Sequence, residues 1–90
     1  MILQNFGKVT LEEAGNGRYI VAEIDTEVKY IKDRLKMIGI YEGAYIEKEW
    51  TQEGTGVFII INRETKLIGM GVAKQIMVKD YNNPFARDIE

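Results

Sequence analysis

The chain has no cysteine and no histidine. Disulfides are therefore excluded, as are the thiolate and imidazole ligands that dominate zinc and other transition-metal sites. Nucleophilic catalysis by a Cys/His or Ser/His/Asp set falls with them. No stretch reaches the ~18 apolar residues of a membrane span, and no basic-then-apolar leader opens the chain. A soluble cytoplasmic protein, with no membrane insertion, is the expectation. Neither sign of charge dominates: 12 basic residues stand against 14 acidic ones, for a net charge of -2. That balance predicts no general attraction to nucleic acid or anionic lipid.

What remains is 90 residues, enough for one domain, with an apolar share of 46 % that belongs to a globular chain. The chain is organised around Asp25–Gly43. Val28, Ile31, Leu35 and Ile38 recur at helical spacing, which predicts one amphipathic helix over about residues 27–38. Thr26 can cap its start, with Glu27 in the first turn where the helix dipole favours a negative charge. Gly39 is placed as a left-handed stop with apolar Ile40 after it, and Gly43 closes a turn.

The flanking segments alternate as strands do. In Arg18–Asp25 the pattern places Ile20, Ala22 and Ile24 inward, with Tyr19, Val21 and Glu23 outward. In Ala44–Gln52, Ile46 and Trp50 share one face with Lys48 between them, opposite Tyr45, Glu47 and Glu49. Val57–Ile61 is apolar on both faces, as expected of a strand covered twice or of an edge used for self-association. Lys66–Met70 and Ile76–Lys79 are further short strands, and residues 71–75 suit one helical turn. Thr10 followed by Glu13 is a capping-box spacing, cut short by Gly15-Asn16-Gly17. The expected architecture is mainly β: a small, partly open five-stranded barrel with one amphipathic helix and short helical turns. Residues 1–9 are expected to form an N-terminal arm whose Met1, Ile2, Leu3 and Phe6 pack on the barrel, and residues 81–90 a loosely held tail.

Taken in order, these residues carry a resemblance. Thr10-Leu11 leads into a glycine turn and a strand containing Tyr19-Ile20-Val21. A helix ends in Leu35-Lys36-Met37-Ile38-Gly39-Ile40, and Gly43 follows. A strand, a glycine-bearing hairpin and an apolar strand precede Ala73-Lys74-Gln75-Ile76-Met77-Val78. Over about residues 10–79 this resembles the FeoA family of ferrous-iron-transport accessory proteins, a domain also found at the C-terminus of iron-dependent bacterial repressors. The resemblance implies an SH3-like barrel over residues 10–80 without enzymatic activity of its own. It also implies a partner, the cytoplasmic part of the membrane ferrous-iron transporter FeoB. The chain departs from the family's usual proline before the turn glycine, having Glu42, and from its usual Asp-Pro hairpin, having Gly54-Thr55-Gly56.

No residue stands out as catalytic, metal-ligating or cofactor-binding. Glu12, Glu13, Glu47, Glu49 and Glu53 read as solvated carboxylates. The glycine runs lack the spacing and lysine of a phosphate-binding loop. Protein docking is the favoured reading. On the helical wheel Tyr30 and Met37 stand about 120–140° from the core stripe, an aromatic and a thioether suited to an adaptable contact, with Arg34 on the flank between. Nucleic acid held by Lys29, Lys32 and Lys36, and a metal-responsive regulatory barrel, are the alternatives.

Overall fold

The computed structural model describes residues 8–81. Eight elements follow in chain order: β1 (Lys8–Thr10), β2 (Gly17–Ile24), α1 (Lys29–Met37), β3 (Tyr45–Gln52), β4 (Gly56–Ile61), β5 (Glu64–Gly69), α2 (Met70–Ala73) and β6 (Ile76–Asp80). The strands form one antiparallel sheet in the order β1-β6-β2-β3-β4-β5. This is the expected small SH3-like barrel. A sixth strand joins the five, because Lys8 and Val9, assigned to the arm, pair with Lys79 and Val78. The expectations for residues 1–7 and 82–90 lie outside the described residues.

The core is aliphatic and drawn from every layer. Ile46, Val57, Ile59, Ile76 and Val78 are essentially inaccessible, and Leu35 brings the helix into the same cluster. On β4 the inner row is Val57, Ile59 and Ile61, while Phe58 and Ile60 form a half-buried outer row. β4 lies between β3 and β5, so it is no edge, and the edge alternative for Val57–Ile61 is overturned.

Two bulges change which side chains face in. A register shift between Val21 and Glu23 interrupts β2, so Val21 and Ile24 are both buried while Ile20 and Ala22 are only half-buried. The outward assignment of Val21 fails because an extra residue resets the two-residue period. Tyr19, also assigned outward, packs against the core and donates its hydroxyl to the Gly15 carbonyl at 2.7 Å. On β3 a second shift lies between Lys48 and Trp50. Ile46 and Lys48 point inward as the alternation predicts, but Trp50 is turned outward.

The helix starts two residues later than expected. The Thr26 hydroxyl accepts a hydrogen bond from the Val28 N–H at 3.2 Å, a local turn that competes with helix. Val28 becomes an extended N-cap residue and is exposed, so the apolar stripe is reduced to Ile31, Leu35 and Ile38. Glu27 lies ahead of the first turn, which holds no acidic residue. The stop is as expected: Gly39 has φ +101, and a Cβ there would come within 2.8 Å of Ile61 Cγ2. The Ile40 N–H returns to the Leu35 carbonyl at 2.9 Å, and Ile40 is fully buried. Thr10 makes half of the expected capping box, its hydroxyl accepting from the Glu13 N–H at 3.1 Å, in a single turn rather than a helix.

Candidate functional site

Helix α1 presents its outer side to solvent as the wheel predicts. Tyr30 is 64 % exposed and Met37 82 %. The Arg34 Nη1 donates to the Tyr30 hydroxyl at 2.5 Å, and its guanidinium carbon sits 5.4 Å from the Tyr30 ring centre. The two side chains one turn apart thus behave as one unit, an exposed ring held by a cation. They border a shallow apolar groove of about 270 Å³ between α1 and α2, floored by Ile31, Leu35 and Val72. A second hollow of about 200 Å³ carries this surface past Arg34 and Ile38 to Leu67 on β5. Met37 lines neither. The structure therefore joins Tyr30 and Arg34 and leaves Met37 on a separate, exposed shoulder.

The opposite flank of α1 carries the lysines. Lys29, Lys32 and Lys36 line a cleft of about 320 Å³ together with Asp33, Tyr41 and Glu42. Lys29 is paired with Asp33 at 3.1 Å. Two carboxylates inside a three-lysine cleft weaken the positive field a phosphate backbone would need. The carboxylates elsewhere do not converge, and among the described residues no group of three or more His, Cys, Asp or Glu side chains could hold a metal ion. The bulge after Lys48 is one reason, since it breaks the shared row of Glu47 and Glu49. Among the described residues no helix is long and apolar enough to cross a membrane.

Sequence reasoning missed Lys48. Its side chain is buried, and its ammonium donates to the carbonyls of Leu11 at 2.9 Å, Glu12 at 3.0 Å and Ala14 at 2.5 Å. Burial pushes this amine below the usual lysine value, and the nearby Glu12 carboxylate partly offsets that. A signal was present, because a lysine between Ile46 and Trp50 on an inward row calls for an internal acceptor. Which carbonyls would supply it could not be read locally, as they lie more than thirty residues away.

Outward again, Trp50 stacks on Phe58 with ring centres 4.4 Å apart and planes at 27°. Tyr45 meets Tyr81 at 4.7 Å, and the Tyr81 N–H is held by the Arg18 carbonyl at 3.1 Å.

No family model matches the sequence, and no match to a curated protein was found. Solved structures do match. An iron uptake regulatory protein, FeoA, superposes with a TM-score of 0.72 at 27 % identity, covering 80 % of this chain and 96 % of that one. A FeoA-like protein from Clostridium acetobutylicum gives 0.70 at 21 % identity, covering 83 % and 88 %. ScaR with bound Zn2+ gives 0.71 at 23 % identity, covering 80 % of this chain but 36 % of ScaR. The chain has a FeoA-like, SH3-like fold.

Proposed function

We propose that this chain is a non-enzymatic, cytoplasmic accessory protein of ferrous iron transport, acting by contact with the cytoplasmic part of a FeoB-type membrane transporter. The observation that carries the reading is the match to the FeoA structure, at 27 % identity over 96 % of that chain. The absence of cysteine and histidine supports a role in contact rather than in chemistry. The docking residues are Tyr30 and Arg34, beside the groove between α1 and α2, with Met37 as an outlying contact. Exposed aromatic, arginine and methionine side chains are the types enriched where protein surfaces meet.

Titration of the folded protein with the transporter's cytoplasmic domain tests this. Binding that weakens about tenfold or more in Tyr30→Ala is expected, as for a central aromatic anchor. Absence of binding at high micromolar concentration would overturn the reading. The likeness to ScaR favours a second reading, a regulatory barrel that responds to metal. A melting temperature that rises with ferrous ion would select it, since a ligand of the native state must stabilise that state.

A further inference from the structure

The sheet ends on one side at β1 and on the other at β5. β1 is three residues long, and so short an edge offers a foreign strand little to pair with. β5 runs for six residues, Glu64–Gly69, without proline, and its register with β4 is unbroken. The two-residue turn makes Ile61 and Glu64 a hydrogen-bonded pair. Every second pair follows suit, so Lys66 and Ile68 also bond to β4, while Thr65 and Leu67 direct their N–H and C=O groups away from it. Among the described residues nothing bonds to those four outward groups. A lysine on an edge ordinarily discourages pairing. Here Lys66 is neutralised by Glu64 at 3.1 Å.

The hollow that reaches Leu67 is lined by β5 and by both helices but by no residue of β4, so it lies along the open edge. It shares Arg34, Leu35 and Val72 with the groove beside Tyr30. The two hollows make one apolar channel, with α1 as one wall and α2 and the end of β5 as the other. Arg34 is the one charged residue lining either hollow, and among the described residues it has no carboxylate partner. Its contacts are the hydroxyl and the ring of Tyr30. A guanidinium held only by a neutral partner attracts a carboxylate and repels a lysine.

We propose that β5 captures the partner by strand addition: an extended segment of the partner, apolar at alternate positions and carrying a carboxylate for Arg34, pairs with the open edge. Thr65 and Leu67 supply the backbone bonds, and the channel supplies the pockets for alternate side chains, as in other added strands. Every second side chain of the segment faces Leu35, Ile38 and Val72. The proposal rests on the transporter reading, whose Tyr30–Arg34 site it extends, and names the form in which that partner binds.

The test measures amide exchange of the full chain alone, with the transporter's cytoplasmic domain, and with an alternating Val/Glu peptide or its Val/Lys counterpart. In the free protein the Thr65 and Leu67 amides should exchange faster than those of Glu64, Lys66 and Ile68. Saturation with the domain should slow both about tenfold or more. Of the peptides, Val/Glu should protect them at the lower concentration. Thr65→Pro removes an outward N–H without removing a bond to β4, and edge strands tolerate proline there. It should weaken binding about threefold or more, the net worth of one hydrogen bond. Thr65→Val keeps that N–H and should bind as wild type. Should Thr65→Pro fail to fold, protection of the wild-type amides decides alone. A domain that binds without protecting Thr65 and Leu67 overturns strand addition and leaves the transporter reading standing. Protection by the Val/Glu peptide with no binding of the domain overturns the transporter reading and supports strand capture at β5. Protection by neither probe, equal protection by both peptides, or protection that grows with the concentration of the protein alone, as a second copy would give, each overturns the proposal.

Discussion

The Lys48 ammonium holds the carbonyls of Leu11, Glu12 and Ala14, so one side chain of β3 ties down the turn between β1 and β2. Methionine has the stem's length but no donor, and would leave buried carbonyls unpaired. Lys48→Met is expected to lower unfolding free energy by about 2–4 kcal/mol, measured by urea denaturation at neutral pH. The sign of a pH effect follows from the same burial. The folded-state pKa lies below the ordinary lysine value of 10.5, with desolvation the leading cause. Between that lowered pKa and 10.5 the unfolded chain binds more protons than the native one, so stability gained from this group rises with pH. The stability difference between wild type and Lys48→Met should therefore widen from neutral pH into that alkaline window. A difference that narrows would mean that the charged form is the one the fold favours.

Among the elements, the β4–β5 hairpin turns on two non-glycine residues of positive φ. Ile61 pairs with Glu64 across a two-residue turn, and Asn62 and Arg63 both have positive φ, 52° and 69°. Such a turn matches the twist of the strands and prefers Asn-Gly. Arg63 adopts this conformation against its Cβ, so Arg63→Gly is expected to stabilise the hairpin by about 0.5–1 kcal/mol, read as a higher urea midpoint. At the strand's other end the requirement is reversed. A Cβ on Gly56 would sit 2.2 Å from the Ile68 carbonyl oxygen, and backbone cannot step aside as a side chain can. Gly56→Ala should cost about 1–3 kcal/mol, with the loss visible as faster amide exchange in β4 and β5. The glycine pair of the Gly54-Thr55-Gly56 turn is legible in the sequence, but this second role of Gly56 appears only when β5 is laid beside β4.

At the scale of the molecule, a small barrel without a convergent carboxylate cluster offers a hard cation nothing to hold among its described residues. Addition of ferrous ion, or of a chelator, is expected to leave the melting temperature unchanged; a rise of several degrees with iron would favour the regulatory reading instead. The surfaces divide the molecule. The Tyr30–Arg34 unit beside its groove and the acid-interrupted lysine cleft lie on opposite flanks of α1. The interior of the barrel is filled with aliphatic side chains.

Periodicity alone determined that one helix with a Val28–Ile31–Leu35–Ile38 stripe, of which the structure exposes Val28, meets a set of short strands, where the helix stops, and that Tyr30 and Met37 face water. Those are properties of neighbours in sequence, set by 3.6- and two-residue repeats and by the conformations glycine permits. Only the tertiary structure decided the rest. The bulges at Ala22 and Glu49 reverse the faces of Val21 and Trp50, because pairing with a neighbouring strand, not local preference, sets where the extra residue goes. The burial of Lys48 was decided in the same way: its three acceptors reach it only after the sheet curls, and the sequence places them far apart along the chain.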